Sequence, residues 1–435
     1  MSAWLAAHGN KKERESNDMK FKLTSLEKKW VLYDVGNSAF TMMVSTIFPI
    51  YFNSLAESAG ISDVNYLAYW GYATSICTLI VAILGPTLGA VADTKNFKKI
   101  IFSISMGVGV FGCILLGFLS SWLWFLGVFV LAKTGYSASL IFYDAMLTDV
   151  TEPERMDSVS SHGYAWGYIG SCIPFVACLG VVLGADTLGI GTQTAMILAF
   201  IITALWWLCS SVPLLRSYRQ KYFSESDGHV VRNSFKRLGR TFMELAKQKH
   251  ILVFLVAFFF YIDGVYTVID MATAYGEALG LESTGLLLTL LVTQIVAFPC
   301  VLIFGRIIKK VKPETIITVC IAAYFCIAVY AYWLDTQFDF WLLAVLVGMF
   351  QGTIQALSRS YFAKIIPAEK SGEFFGIYDI CGKGASVLGT ALVSFLAQVT
   401  GSINIGVSAL SVMFLIGLVL FRYSAKLNET QKQQD

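Results

Sequence analysis

The chain has 435 residues, 56% hydrophobic and 14% charged, with a formal net charge of +3 and a mean hydropathy of +0.65. Soluble domains carry about a quarter charged residues, so this composition excludes the two or three soluble domains that length alone would suggest. Apolar runs of about 20 residues, each long enough to span a bilayer, recur along the sequence.

Residues 1–29 are polar and mixed in charge, and the apolar patch Ala3 to Ala7 is too short for a signal-peptide core. They are expected to form a cytoplasmic N-terminal segment, with the first span acting as its own insertion signal. Runs between breakers predict six spans near 30–56, 66–92, 99–119, 122–147, 161–184 and 194–215, forming a first bundle over 30–215. A polar, basic cytoplasmic linker follows at 216–250. Six more spans are predicted near 251–276, 284–308, 314–334, 341–364, 372–398 and 403–422, forming a second bundle over 251–422, with a cytoplasmic tail at 423–435. Only helices satisfy every backbone amide within such single segments in lipid. The predicted fold class is therefore an all-α polytopic membrane protein of twelve transmembrane helices.

Charge placement predicts the orientation. With the N-terminus inside, the outer connections near 57–65, 120–121, 185–193, 277–283, 335–340 and 399–402 contain no Lys or Arg. Of the 32 basic residues, all but Lys133, Arg359 and Lys383 fall on inner segments or span ends, as the positive-inside rule requires. The nine cysteines all lie in apolar runs without CxxC spacing. They read as small apolar fillers, with no disulfide framework or metal site.

The two sets of six spans echo each other. Span 1 reads Tyr33-Asp-Val-Gly36 and span 7 Tyr261-Ile-Asp-Gly264. Spans 2 and 8 each hold a proline (Pro86, Pro299) and then a glycine (Gly89, Gly305) leading into paired lysines. Spans 4 and 10 each place Leu (Leu140, Leu357) five residues after Gly (Gly135, Gly352). Spans 5 and 11 are both punctuated by glycine, and four echoes in one order favour internal duplication. The depths of Asp34 and Asp263 do not align, so those two are not read as equivalent.

The connection after span 2 reads Gly85-Pro-Thr-Leu-Gly89-Ala-Val-Ala-Asp93-Thr-Lys95-Asn-Phe-Lys98-Lys99. Here the chain resembles the major facilitator superfamily, whose signature in this loop is a Gly, an Asp four residues later and then basic residues. Thr94 and Asn96 depart from it, which leaves the register of the basic partner open. The runs YDVGNSAF (33–40), FYDAMLTDVTEPERMDSVSSHGYAWGYIGS (142–171) and FFGIYDICGKGAS (374–386) resemble its vacuole-effluxer-like branch, named for a yeast autophagy protein that exports amino acids from the vacuole. The resemblance implies two pseudo-symmetric six-helix bundles and solute transport. It also implies that Asp93 caps the start of span 11 near Gly372, and that Lys98 or Lys99 meets Asp144 or Asp149. Spans 4 and 10 would face each other across the cytoplasmic mouth. Asp144 and Arg359 could then close it as an inter-half ion pair, the alternative being separate pairs within each half.

An ionisable residue inside a span needs a partner or water. The deep ones are Asp263, Asp379, Lys383 and Lys133; nearer the inner face lie Asp34, Asp144 and Arg359. Asp379 and Lys383, four apart, share a helix face. They form either a mutually neutralised pair or a polar spot where Lys383 meets a substrate carboxylate or exchanges partners with Asp263. A coupling proton on Asp263 or Asp379 is a further expectation, and Lys133 either lines a cavity or snorkels. Asn37, Tyr143, Trp166, Tyr261, Tyr266, Gln294, Gln351 and Gln355 are candidates to line a path. Gly85-xxx-Gly89, Gly163-xxx-Gly167 and Gly372-xxx-Gly376 fit close helix packing.

An intramembrane enzyme is not expected. The four histidines (His8, His162, His229, His250) sit at or beyond span ends, and no HExxH, DDxxD or GxxxxGK[ST] occurs. A flippase or exporter of a lipid or lipid-linked molecule is one alternative, and a non-transporting sensor or scaffold another, though Ser424 to Asp435 is a short tail for signalling. The expected partners are a small solute, a coupling proton and the bilayer, with no nucleic acid and no cofactor. The expected state is a monomer.

Overall fold

A computed structural model describes residues 21–61, 63–224, 243, 245, 247–278 and 283–433. The first 20 residues, most of the predicted linker and the last two residues lie outside the described set. Among the described residues, twelve helices are long and apolar enough to cross a membrane, as the apolar runs predict.

Span 1 starts five residues before its apolar run. Thr24 and Glu27 form a reciprocal capping box that satisfies the first free amides of Ser25–Ser45. Thr46 interrupts the span with φ −132°, and the helix resumes over Ile47–Ser58. Spans 2 to 6 are Asp63–Ala92, Phe97–Leu116, Trp122–Ala145 (continued by the turn Leu147–Val150), Met156–Leu183 and Thr192–Ser217. Spans 7 to 9 are Lys249–Ala278, Ser283–Ile307 and Pro313–Tyr330. Span 10, Gln337–Ile365, opens with a second capping box from Thr336 and Asp339. Span 11 is Ser371–Thr400, and span 12 comprises Ile403–Ser408 and Leu410–Lys432.

The helices form two pseudo-symmetric six-helix bundles. Within the first, span 1 packs on 5 and 6, span 3 on 4 and 6, and span 2 on 4; each pairing recurs among spans 7 to 12. Each bundle has its own aromatic core, with Phe48 and Phe200 at 4.7 Å in the first and Phe258 stacked on Tyr378 at 4.0 Å in the second. The Tyr33 and Tyr261 echo has a structural counterpart. Tyr33 Oη pairs with Ser139 Oγ across spans 1 and 4, and Tyr261 Oη with Ser358 Oγ across spans 7 and 10, both at 2.7 Å.

The bundles meet chiefly through span 2 against 11 and span 5 against 8 and 10. Lipid gives no hydrophobic drive for helix association, so close approach rests on small residues. A Cβ on Gly89 would lie 2.2 Å from the Gly372 carbonyl oxygen, and one on Gly376 would lie 2.6 Å from Pro86 N. Two small-residue motifs read separately in the sequence therefore pack on each other. The third, on span 5, packs mainly on span 1 of its own bundle: a Cβ on Gly163 would lie 2.6 Å from the Asp34 carboxylate, and one on Gly167 2.8 Å from Ser38 Oγ.

Candidate functional site

The first group of functional side chains joins the bundles on the face that bears the termini. Arg359 of span 10 is 2% exposed. Its Nη1 donates to Asp144 of span 4 at 2.9 Å and its Nη2 to Asp34 of span 1 at 3.4 Å. Nε donates to Ser160 Oγ at 2.9 Å, and Nη2 also to the Ser160 carbonyl at 3.1 Å. The guanidinium lies 4.7 Å from the Trp30 ring and 4.4 Å from the Tyr164 ring. A buried arginine needs this dense pairing, because an unpaired charge at such a site costs several kcal/mol. Asn37 does not reach open space; it donates to Asp34 Oδ1 at 3.3 Å and orients that acid.

Two further contacts extend this latch. Asp157, in the first turn of span 5, accepts from Ser360 Oγ at 2.7 Å and pairs with Lys364. Ser160 Oγ also donates to the Ala356 carbonyl at 2.7 Å. The sequence reading missed Asp157, Ser160, Trp30 and Tyr164. Residues 157 and 160 share one helical face, the only local signal for the first two.

Asp93 ends span 2 and faces the start of span 11. It accepts from the Gly372 and Glu373 amides at 2.7 and 2.9 Å. Span 11 has no side-chain cap of its own, so an acid from the other bundle satisfies its first amides and opposes the positive end of its dipole. Lys98, fully buried, lies 3.2 Å from Asp149, 3.9 Å from Asp93 and 2.8 Å from Ser371 Oγ. Asp149 also accepts from Tyr218 Oη at 2.5 Å and from the Lys221 and Tyr222 amides at 2.9 Å. The open register thus resolves to Lys98 with Asp149, while Asp144 belongs to Arg359. Lys99 is half-buried and takes no part in this cluster. Lys98→Met is expected to destabilise the purified protein by about 3–5 kcal/mol, and Lys99→Met by no more than about 0.5 kcal/mol; thermal unfolding of the two variants checks this.

At mid-depth, Lys383 and Asp379 of span 11 pair at 2.6 Å, with side chains 29% and 15% exposed. Lys383 Nζ also lies 3.5 Å from the Ser137 carbonyl of span 4, so the pair faces the first bundle. Lys133, half-buried on span 4, lies 5.7 Å from the Phe129 ring.

Asp263 is elsewhere. It is fully buried and contacts Gly389, six residues beyond Lys383 and hence about 9 Å along the helix. The expected exchange with Lys383 is not made here. Tyr261 is fully buried in the second bundle's core and does not line a path. Trp166 is 45% exposed at the span 5–8 junction, 5.4 Å from the Phe298 ring.

This arrangement has known counterparts. Residues 25–154 and 148–435 match the family described as vacuole effluxer Atg22 like. The chain is 42% identical over 418 residues to the uncharacterized MFS-type transporter YxiO of Bacillus subtilis (strain 168), covering 95% of this chain and 98% of that one. Its fold matches a bacterial homologue of the iron transporter ferroportin in an outward-facing state with soaked iron, with a TM-score of 0.68 at 15% identity over 92% of this chain and 98% of that one. It also matches the major facilitator superfamily transporter FucP in the outward conformation, with a TM-score of 0.62 at 13% identity over 92% of this chain and 97% of that one. Joined to the twelve spans and the two bundles, these matches show that the chain belongs to the Atg22-like vacuole-effluxer family of major facilitator superfamily transporters.

Proposed function

We propose that this protein is a secondary active transporter that moves a small polar, amino-acid-like solute by alternating access, with a coupling proton. The units that move are residues 30–215 and 251–422, joined by the linker at 216–250. The face bearing the termini is cytoplasmic, as the basic residues indicate, and in a bacterium the membrane is the plasma membrane. The observation that carries this reading is the contrast in depth. Buried, fully paired charges hold the bundles together near one face, while the partly exposed Lys383–Asp379 pair lies at mid-depth between them. A zwitterion presents both charges such a pair can exchange for. Asp144 and Arg359 then act as the cytoplasmic gate, which must part for the opposite state to form.

A thermal-shift screen of amino acids, short peptides, sugars and lipid headgroups on the purified protein tests this. An amino-acid-like ligand should raise the unfolding temperature in the parent protein and lose its effect in Lys383→Ala. Stabilisation by lipid headgroups alone would favour a flippase. Solute binding without flux in proteoliposomes would favour a sensor.

A further inference from the structure

The second bundle contains a cavity of its own. A cavity of about 70 Å3 lies among spans 7, 8, 10, 11 and 12. It runs from Tyr275 and Phe340, near the face remote from the termini, to Thr267, Gln294 and Gln351 at the middle of their helices. All of these elements belong to the second bundle, and neither Lys383 nor Asp379 lines the cavity, although Gln294 at its inner end also lies 3.6 Å from Met42 Sδ of span 1.

Asp263 stands one turn below Thr267 at the inner end. Its Oδ1 accepts from the Gly389 amide at 3.0 Å and from Thr267 Oγ1 at 3.3 Å. Its Oδ2 is buried without a hydrogen-bond partner among the described residues, as is Gln294 Oε1. No cation pairs with Asp263 among the described residues. Span 11 carries Asp379 and Lys383, bound to each other. Span 10 carries Arg359, held by Asp144 and Asp34. Span 12 meets this stretch of span 7 with Phe414 and Gly417. The neighbouring ionisable residues of span 7 itself are Tyr261, Tyr266 and Asp270.

A carboxylate buried in a membrane protein without a counter-charge must either take up a proton or draw in a cation. Hard metal cations such as Mg2+ and Ca2+ take about six or more oxygen ligands. Here Oδ1 already receives two donors, and one carboxylate oxygen is left. We infer that Asp263 is a proton-binding site reached through the cavity inside the second bundle, separate from the solute path between the bundles. The Gly389 amide links that site to span 11. A Cβ at Gly389 would lie 2.2 Å from Thr267 Oγ1 and 2.6 Å from Asp263 Oδ1, so glycine is what lets span 11 approach the acid. Span 11 also carries Lys383 and is capped by Asp93, so gain or loss of a proton at Asp263 acts on the helix shared by the solute pair and the latch.

The inference rests on the transport reading, and infrared spectroscopy separates the two. The full-length protein in liposomes would be titrated with pH while the carboxylic-acid C=O band is followed. A titrating band should be lost in Asp263→Asn, kept in Asp379→Asn and shifted in Thr267→Val and Gly389→Ala. The Thr267→Val variant covers the case in which Asp263→Asn does not fold. A band that persists in Asp263→Asn with an unshifted Thr267→Val spectrum overturns the proton site, as does a band that responds to Na+ at fixed pH. Solute exchange measured on the same liposomes reports on transport itself. Exchange with no Asp263 band defeats this inference alone, whereas an Asp263 band with no exchange of any solute defeats the transport reading.

Discussion

Arg359→Ala is expected to destabilise the protein more than any single acid substitution in the latch, by about 3–5 kcal/mol. Removing the guanidinium leaves Asp34 and Asp144 facing each other in a buried site with no cation, and strips Ser160 Oγ of its donor. Asp144→Asn and Asp34→Asn each leave Arg359 one carboxylate, so each should cost less. Exchanging the charges of 144 and 359 should restore only part of the loss, because Asp34, now paired with Arg359, would be left beside a second acid and lose its cation. Melting curves of the purified variants would show this order. An Arg359→Ala protein that melts with the parent would sink the latch as a source of stability. Gly163 belongs to the same unit, since a Cβ there would also lie 3.0 Å from Arg359 Nη2.

Gly89→Ala should open the same face by a different route. Its Cβ would meet the carbonyl of Gly372 at 2.2 Å and the Glu373 amide nitrogen at 2.9 Å. Both obstacles are backbone, so the helices must separate. Overpacking of this kind costs about 1–3 kcal/mol, and separation also strains the two charge-assisted bonds from Asp93, worth about 1.5–3 kcal/mol each. A loss near 3 kcal/mol lowers the closed-to-open ratio on the order of a hundredfold. The readout is thiol labelling of Ala356→Cys, at a position now fully buried in the latch, in a background without the native cysteines. Labelling should accelerate in Gly89→Ala and stay at the parent rate in Gly107→Ala, where a Cβ meets nothing within 4 Å. Equal rates in both variants would argue that the glycine contact does not hold the face closed.

Much of this architecture can be read from the sequence, and the reason is local. Transfer of a helix into lipid depends on a sum over about 20 consecutive residues, so each span declares itself without reference to the others. The interruption at Thr46 and the early start of span 1 are smaller corrections, the second traceable to the Thr24–Glu27 capping box. The family resemblance, not any property of the loop alone, pointed Asp93 to the start of span 11, where it accepts from the Gly372 and Glu373 amides.

Partner choice among the intramembrane charges is another matter. Successive helical residues point about 100° apart, so neighbours such as Lys98 and Lys99 have different surroundings, and only packing decides which one is buried. That packing gave Lys98 to Asp149, left Lys99 outside and brought Arg359 to two acids from spans 1 and 4. It also set Asp263 on Gly389, away from Lys383. The sequence by itself determined twelve spans, their recurrence in two sets and the depth of each charge. The tertiary structure alone decided how those charges pair, because pairing depends on rotation about each helix axis and on how closely two backbones approach, and neither is encoded in any single span.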